Sequence, residues 1–168
     1  RAGERPAGGT GFGYRVADPQ RYGVADFDES GKVRAIVEKP KVPPSNYAVT
    51  GLYCLDGTAP ARARKVVPSA RGELEITSLL EMYLQEGTLD VELMGRGFAW
   101  LDTGTHESLL DAGNFVRTLE ERQGLQMGSP DEIAFANGWL DREGLLERAK
   151  LFGKNEYGSY LVRVADGE

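Results

Sequence analysis

Thiol and imidazole are almost missing from this chain of 168 residues, which holds one cysteine, Cys54, and one histidine, His106. One cysteine cannot make an intramolecular disulfide, and this usage fits a reducing compartment. The pair cannot supply a zinc cage. Basic charge is also short: 20 Lys and Arg stand against 26 Asp and Glu, giving a net charge of −6. That excludes a general binder of nucleic acid or of anionic membrane, both of which need basic surface. An anionic small substrate stays open, since a few well-placed cations suffice. No apolar run has the length of a membrane span, and no basic-then-apolar signal peptide leads the chain. There is no nucleophile elbow of the Gly-x-Ser-x-Gly kind and no P-loop. Gly8-Gly9-Thr10-Gly11-Phe12-Gly13 imitates a phosphate loop, but it precedes a strand pattern instead of following one.

What is present suits about one domain with a real core. Arg1 to Gly11 is rich in Gly, Ala and Arg without periodicity, and reads as a loop or frayed end. Phe12 to Val16 is a short strand candidate. Tyr22 to Phe27 and Lys32 to Val37 flank Asp28-Glu29-Ser30-Gly31 and predict a β-hairpin. Gly23 inside the first of these marks either a bulge or a close approach to the backbone. Glu38-Lys39-Pro40 ends the hairpin, and Pro40 predicts an extended Lys39. The two charges are then either displayed for a ligand or simply solvated edge charges. Tyr47 to Leu55 is a β-prone strand, stopped by Asp56-Gly57.

A helix is expected over Pro60 to Val67, and an amphipathic one over Glu73 to Gln85, ended by Gly87. Glu73 and Glu75 are expected in its first turn, where acids suit the helix dipole. Leu89 to Leu93 is another strand. From Thr105 the pattern is helical: one helix to Gly124, one opened by Ser129-Pro130-Asp131-Glu132 through Trp139, one from Asp141 to Gly153, and a last segment from Tyr157 to Val164 as helix or arm. His106 reads as a helix-start residue.

Gly95 to Thr105 is the stretch around which the rest is organised. Phe98 to Leu101 predicts a buried strand, with Asp102 at its carboxyl end, where α/β sheets collect ligands. Asp102 could hold a metal or a substrate hydroxyl there, or only cap the next turn.

Tyr22-Gly23-Val24, Glu38-Lys39-Pro40, Val49-Thr50-Gly51-Leu52-Tyr53, Arg71-Gly72-Glu73-Leu74-Glu75-Ile76-Thr77 and Gly95–Thr105, together with Asp131 to Trp139, occur in an order and spacing that resemble the glucose-1-phosphate thymidylyltransferases. These are the sugar nucleotidyltransferases that open the dTDP-rhamnose pathway. The resemblance implies an α/β fold: part of a Rossmann-like mixed sheet over residues 1–105, followed by a helical region over 106–168 serving assembly or regulation. It implies a reaction in which dTTP and glucose 1-phosphate give dTDP-glucose and pyrophosphate with Mg²⁺, in a cytoplasmic homotetramer.

By the same resemblance, Lys39, Arg71 and Asp102 carry catalysis. Tyr22, Gly23, Glu38, Lys39, Val49, Arg71, Thr77 and Trp100 bind the sugar phosphate. Asp102 is a Mg²⁺ ligand, and Arg96, Glu132 and Ile133 belong to a regulatory site. The family's N-terminal Gly-rich nucleotide loop has no match here. The expectation is therefore a C-terminal portion without the nucleotide-binding part, inactive by itself. Alternatives are a non-catalytic sugar-phosphate or sugar-nucleotide module, or a uridylyl- or cytidylyltransferase of the same family.

Overall fold

The computed structural model describes residues 7–167. They divide into two compact units, one running to Trp100 and one starting at Leu101. The first is α/β and the second is helical.

The first unit is built on a mixed sheet of five strands: β1 (Gly9–Arg15), β2 (Gly23–Phe27), β3 (Val33–Glu38), β4 (Tyr47–Leu55) and β5 (Leu89–Leu93). Their order across the sheet is β3-β2-β4-β1-β5. β1 runs parallel to β5 and antiparallel to β4, while β2 pairs antiparallel with β3 and β4. The hairpin and the Tyr47–Leu55 strand lie where the alternation placed them. The opening of the chain differs. Part of the segment read as a loop lies outside the described residues, and from Gly9 it is instead an interior strand. Its glycines, which looked like loop composition, serve close packing: a Cβ built on Gly9 would meet Leu55 Cδ2 at 3.0 Å and Leu89 Cδ1 at 3.3 Å.

Two helices belong to this unit, α1 (Ala59–Ala63) and α2 (Ile76–Gln85). Both are shorter than the periodicity suggested. α2 puts Leu79, Leu80 and Tyr83 against Ala25, Val33, Ile36, Val49 and Leu89 of the sheet. Removing each large side chain of this set from water contributes about 1.5–3 kcal/mol, which fixes α2, and Thr77 in its first turn, against the strands. Glu73 and Glu75 lie ahead of α2's first turn, not within it; Glu75 is the N-cap residue and makes no side-chain cap bond. The dipole explanation for the two acids therefore does not hold.

Gly95 to Gly104 is irregular, and the expected buried strand is not there. Phe98 is 61% exposed and Leu101 41%. The run is apolar enough for a strand, but a turn from Gly95, in which the Phe98 N–H donates to the Gly95 carbonyl, takes its backbone off the β5 line.

The second unit holds α3 (His106–Gln123), α4 (Pro130–Ala136), α5 (Arg142–Leu151) and α6 (Glu156–Asp166). The start signals read from sequence are used: Thr105, Ser129 and Asp141 accept from backbone N–H groups of the first turns behind them, and Asn155 does the same for α6. His106 opens α3, and Gly124, at φ +70°, stops it. Leu145, Ala149, Tyr160, Leu161 and Ala165 form the core of this unit. The α3 period was legible, yet α3 buries none of its residues. Among the described residues, no helix is long and apolar enough to cross a membrane.

Candidate functional site

β2 and β3 pair Gly23 with Glu38 at the end of the hairpin. The ladder is continued by the Lys39 N–H, which donates to the Tyr22 carbonyl at 3.0 Å. The Glu38 carboxylate is held from α2, where the Thr77 hydroxyl donates to its Oε2 at 3.0 Å. A Cβ on Gly23 would fall 2.7 Å from Thr77 Cγ2 and 3.3 Å from Glu38 Oε2. Of the two readings of Gly23, close approach is the right one; the bulge in this pair lies between Asp26 and Phe27. Only a residue without a side chain lets Thr77 reach Glu38 across β2.

Lys39 is not extended. Its φ is +40°, making it the only non-glycine residue among those described with positive φ. The left-handed region costs an ordinary residue about 1–2 kcal/mol. Pro40 disfavours the right-handed helical region for its predecessor, and here the chain escapes to the other side. The Lys39 ammonium lies 4.0 Å from Glu38 Oε1.

Arg71 brings a second cation to the same carboxylate, with Nη1 3.5 Å from Glu38 Oε1. It is also bound within its own turn: Nη2 pairs with Glu73 Oε2 at 2.7 Å and Nη1 donates to Glu75 Oε1 at 3.3 Å. Ser69 closes the arrangement by donating to Glu75 Oε1 at 3.0 Å while accepting the Arg71 backbone N–H at 3.2 Å. The chain around Arg71 is thereby fixed from both backbone and guanidinium ends. Sequence reasoning missed the pairing of Glu73 and Glu75 with Arg71; the Arg-x-Glu-x-Glu spacing was a signal, obscured by the assumption that the helix had already begun.

Aromatic rings complete this region of the first unit. Tyr22 meets Trp100 edge-on at 5.2 Å between ring centroids, and Tyr14 lies 6.1 Å from the same indole. Tyr14 also donates to the Phe98 carbonyl at 3.2 Å. Val49 is buried behind Gly23, with its Cβ 4.0 Å from the modest space a Gly23 side chain would need. Tyr53, two pleats along the same face of β4, has its phenol pushed up by burial and then by the charge of Glu38. The sequence pattern assigns it no role, although the period of two from Val49 puts it on the same face.

Tyr22, Gly23, Glu38, Lys39, Val49, Arg71, Thr77 and Trp100 therefore belong to one unit, and Glu38 has Gly23, Lys39, Arg71 and Thr77 directly around it. Arg96 is in that unit too, exposed in the turn after Gly95. Asp102 opens the second unit, half-buried, with its carboxylate over Gly104. It is not at a strand end. Glu132 and Ile133 lie on α4, where the Glu132 N–H donates to Ser129 Oγ and its carboxylate accepts from the Tyr160 hydroxyl. Burial, then that bond, raises the Tyr160 phenol. Among the described residues no group of three or more His, Cys, Asp or Glu side chains could hold a metal by itself.

Comparison with known proteins supplies the remaining constraint. A family model described as nucleotidyl transferase matches residues 1–118. The chain is 57% identical over 165 residues to a glucose-1-phosphate thymidylyltransferase of Xanthomonas campestris pv. campestris (strain B100), covering 98% of this chain and 56% of that protein. It is 52% identical to one from Mycolicibacterium smegmatis, with 98% and 57% covered. A solved Bacillus anthracis protein, assigned as a glucose-1-phosphate thymidylyltransferase and bound to sucrose, superposes with a TM-score of 0.58 at 42% identity, over 66% of this chain and 44% of that one. The chain spans a little over half the length of the curated relatives it matches.

One expectation is overturned. The chain was expected to lack the nucleotide-binding part and to be inactive for that reason, but the match to the nucleotidyl transferase model starts at its first residue and runs to residue 118. The Gly-rich opening, set aside as a frayed end, is from Gly9 an interior strand of the sheet, not an appendage to it. By a family match over more than half its residues, the chain belongs to the nucleotidyl transferases.

Proposed function

We propose that the chain serves the transfer of a thymidylyl group from dTTP to glucose 1-phosphate, giving dTDP-glucose and pyrophosphate. The observation that carries this reading is a carboxylate, Glu38, with spare acceptor capacity beside two cations. Its Oε2 takes one hydrogen bond, from Thr77, and its Oε1 has only the longer approaches of Arg71 and Lys39. An ionised carboxylate can accept about four hydrogen bonds, so Glu38 retains room for sugar hydroxyls. Lys39 and Arg71 suit the phosphate, Lys39 as a point charge and Arg71 as a planar fork. Gly23 leaves the room in which Thr77 reaches Glu38 and so sets the carboxylate that would face the sugar, and Val49, Thr77, Tyr22 and Trp100 wall the sugar face.

In such a transfer a phosphate oxygen of the sugar phosphate attacks the α-phosphorus in line, forming the new P–O bond as the bond to pyrophosphate breaks. No protein nucleophile is required. The residues work by positioning and by neutralising charge. Glu38 orients the sugar, and Lys39 and Arg71 hold its phosphate so that one oxygen is presented for attack. Asp102 offers the hard oxygen donor that Mg²⁺ prefers, and Mg²⁺ commonly takes one or two carboxylates together with substrate phosphates. When bound it would supply charge neutralisation at the phosphates. To Arg96, and separately to Glu132 and Ile133, we assign regulatory roles. The exposed Leu109, Leu110 and Phe115 of α3 suit assembly as a homotetramer.

Pyrophosphate release from dTTP, glucose 1-phosphate and Mg²⁺ is the test. Asp102→Asn is expected to lower turnover and raise the Mg²⁺ concentration required. Unchanged turnover and unchanged Mg²⁺ demand in that variant would end the metal role proposed for Asp102, and UTP or CTP replacing dTTP without loss would reassign the base.

A further inference from the structure

We propose that the two glutamates beside Arg71 have opposite roles in gripping an anion: Glu75 fixes the guanidinium, and Glu73 occupies the face that a phosphate must take. This rests on the reading of Arg71 as a phosphate ligand. Arg71 meets three carboxylates, those of Glu38, Glu73 and Glu75. With Lys39 as the neighbouring cation, the local charge is negative, which is a poor starting point for an incoming phosphate unless one carboxylate yields its place.

The structure distinguishes which. The Glu75 side chain is 10% exposed and its Oε1 is bound by Ser69 as well as by Arg71. Swinging it away would break the Ser69 bond and the turn that Ser69 ties to the Arg71 backbone. The Glu73 side chain is 58% exposed, and Arg71 is the one partner its carboxylate shows, at 2.7 Å. A solvated carboxylate can rotate into water at little cost. It leaves behind the Nη2 edge it had occupied, with Nη1 still held by Glu75. Glu75 is thus a positioning residue, and Glu73 is a stand-in for the phosphate.

Simple charge repulsion makes a different prediction. If both glutamates acted only as negative charges near the phosphate, neutralising either would strengthen binding. Under the proposal the signs diverge. By calorimetric titration with glucose 1-phosphate, Glu73→Gln is expected to bind about three-fold tighter and Glu75→Gln about ten-fold weaker than the unmodified chain. Ser69→Ala, which changes no charge, is expected to weaken binding in the same direction as Glu75→Gln. It also keeps the test decisive if Glu75→Gln does not fold. Binding of uncharged glucose should change in none of the three.

Tighter binding in both glutamine variants, or no effect of Ser69→Ala, overturns the division of roles. Arg71→Ala separates the two layers. If it abolishes binding while the glutamate variants fail to diverge, the phosphate role of Arg71 stands and this inference falls. If Arg71→Ala has no effect, both fall.

Discussion

Each unit of the chain sets an arginine against carboxylates, and the two clusters are finished differently. In the helical unit, Arg148 Nε donates to Asp131 Oδ1 at 2.7 Å, and Tyr157 donates to Asp131 Oδ2 at 3.0 Å while its hydroxyl also meets Ser129 Oγ at 2.8 Å. Both oxygens of a carboxylate that is only 11% exposed are used, and every partner comes from α4, α5, α6 or the α4 cap. The cluster is closed. Around Glu38, itself 21% exposed, one oxygen is bound and the other faces two cations only at 3.5 and 4.0 Å. Lys39 holds a strained backbone there as well. The same functional groups tie helices together in one place and stand open in the other. Unused acceptor capacity and residual strain, more than the presence of an ion pair, are why the open one is proposed as the site.

Removing each carboxylate should separate these roles. The largest effect is expected from Glu38→Ala, which should weaken glucose 1-phosphate binding by about 100-fold, since it strips a sugar-oriented acceptor and leaves Thr77 Oγ1 without its partner. The melting temperature should fall only modestly, since the buried Thr77 hydroxyl loses its acceptor at a cost of about 1 kcal/mol. A collapse of stability with binding intact would make Glu38 a structural residue like Asp131.

Asp131→Asn should do the reverse. It removes a charge-assisted bond to Arg148 and should cost about 1–2 kcal/mol in denaturant unfolding, with sugar-phosphate binding unchanged. The pH dependence has a defined sign. The Arg148 bond, then the Tyr157 bond, holds the Asp131 carboxyl below its ordinary value. A carboxyl lowered in the folded state binds fewer protons there than in the unfolded chain. Its stabilisation is present above the ordinary Asp value of 3.8 and is lost as pH falls through the lower folded value. The variant should lack that acid-side loss, and an unchanged acid profile would remove Asp131 as its source.

The smallest effect concerns the sheet. Thr50 is 1% exposed and its hydroxyl is the one buried side-chain polar atom without a partner among the described residues. Thr50→Val should stabilise by about 1 kcal/mol, because an unsatisfied buried hydroxyl is replaced by a methyl of similar shape. Destabilisation would mean that the hydroxyl has a partner, such as an ordered water.

Local signals carried most of the fold. Alternation gave the hairpin and Tyr47–Leu55, and Thr105, Ser129 and Asp141 gave helix starts, because caps and pleats are decided within a few residues. The failures came where tertiary context decided. Gly9 to Gly11 looked like loop because glycine composition does not report that β4 and β5 press in from both sides. Phe98 to Leu101 looked like a strand because nothing local shows that no neighbour is there to pair with it. Glu73 and Glu75 were given to a helix that starts at Ile76, which hid their bonds to Arg71. The site residues themselves were named through resemblance; spacing alone could not show that Thr77 reaches Glu38 across a glycine.

The most direct measurement is glucose 1-phosphate titration of Arg71→Ala beside Arg148→Ala. Each variant loses one arginine, Arg71 paired to three carboxylates and Arg148 to one, at nearly equal side-chain exposure, 41% and 46%. Arg71→Ala should lower affinity by about 100-fold, as loss of a charge-assisted fork demands, and Arg148→Ala should leave it unchanged. Equal affinity in the two variants would contradict the account.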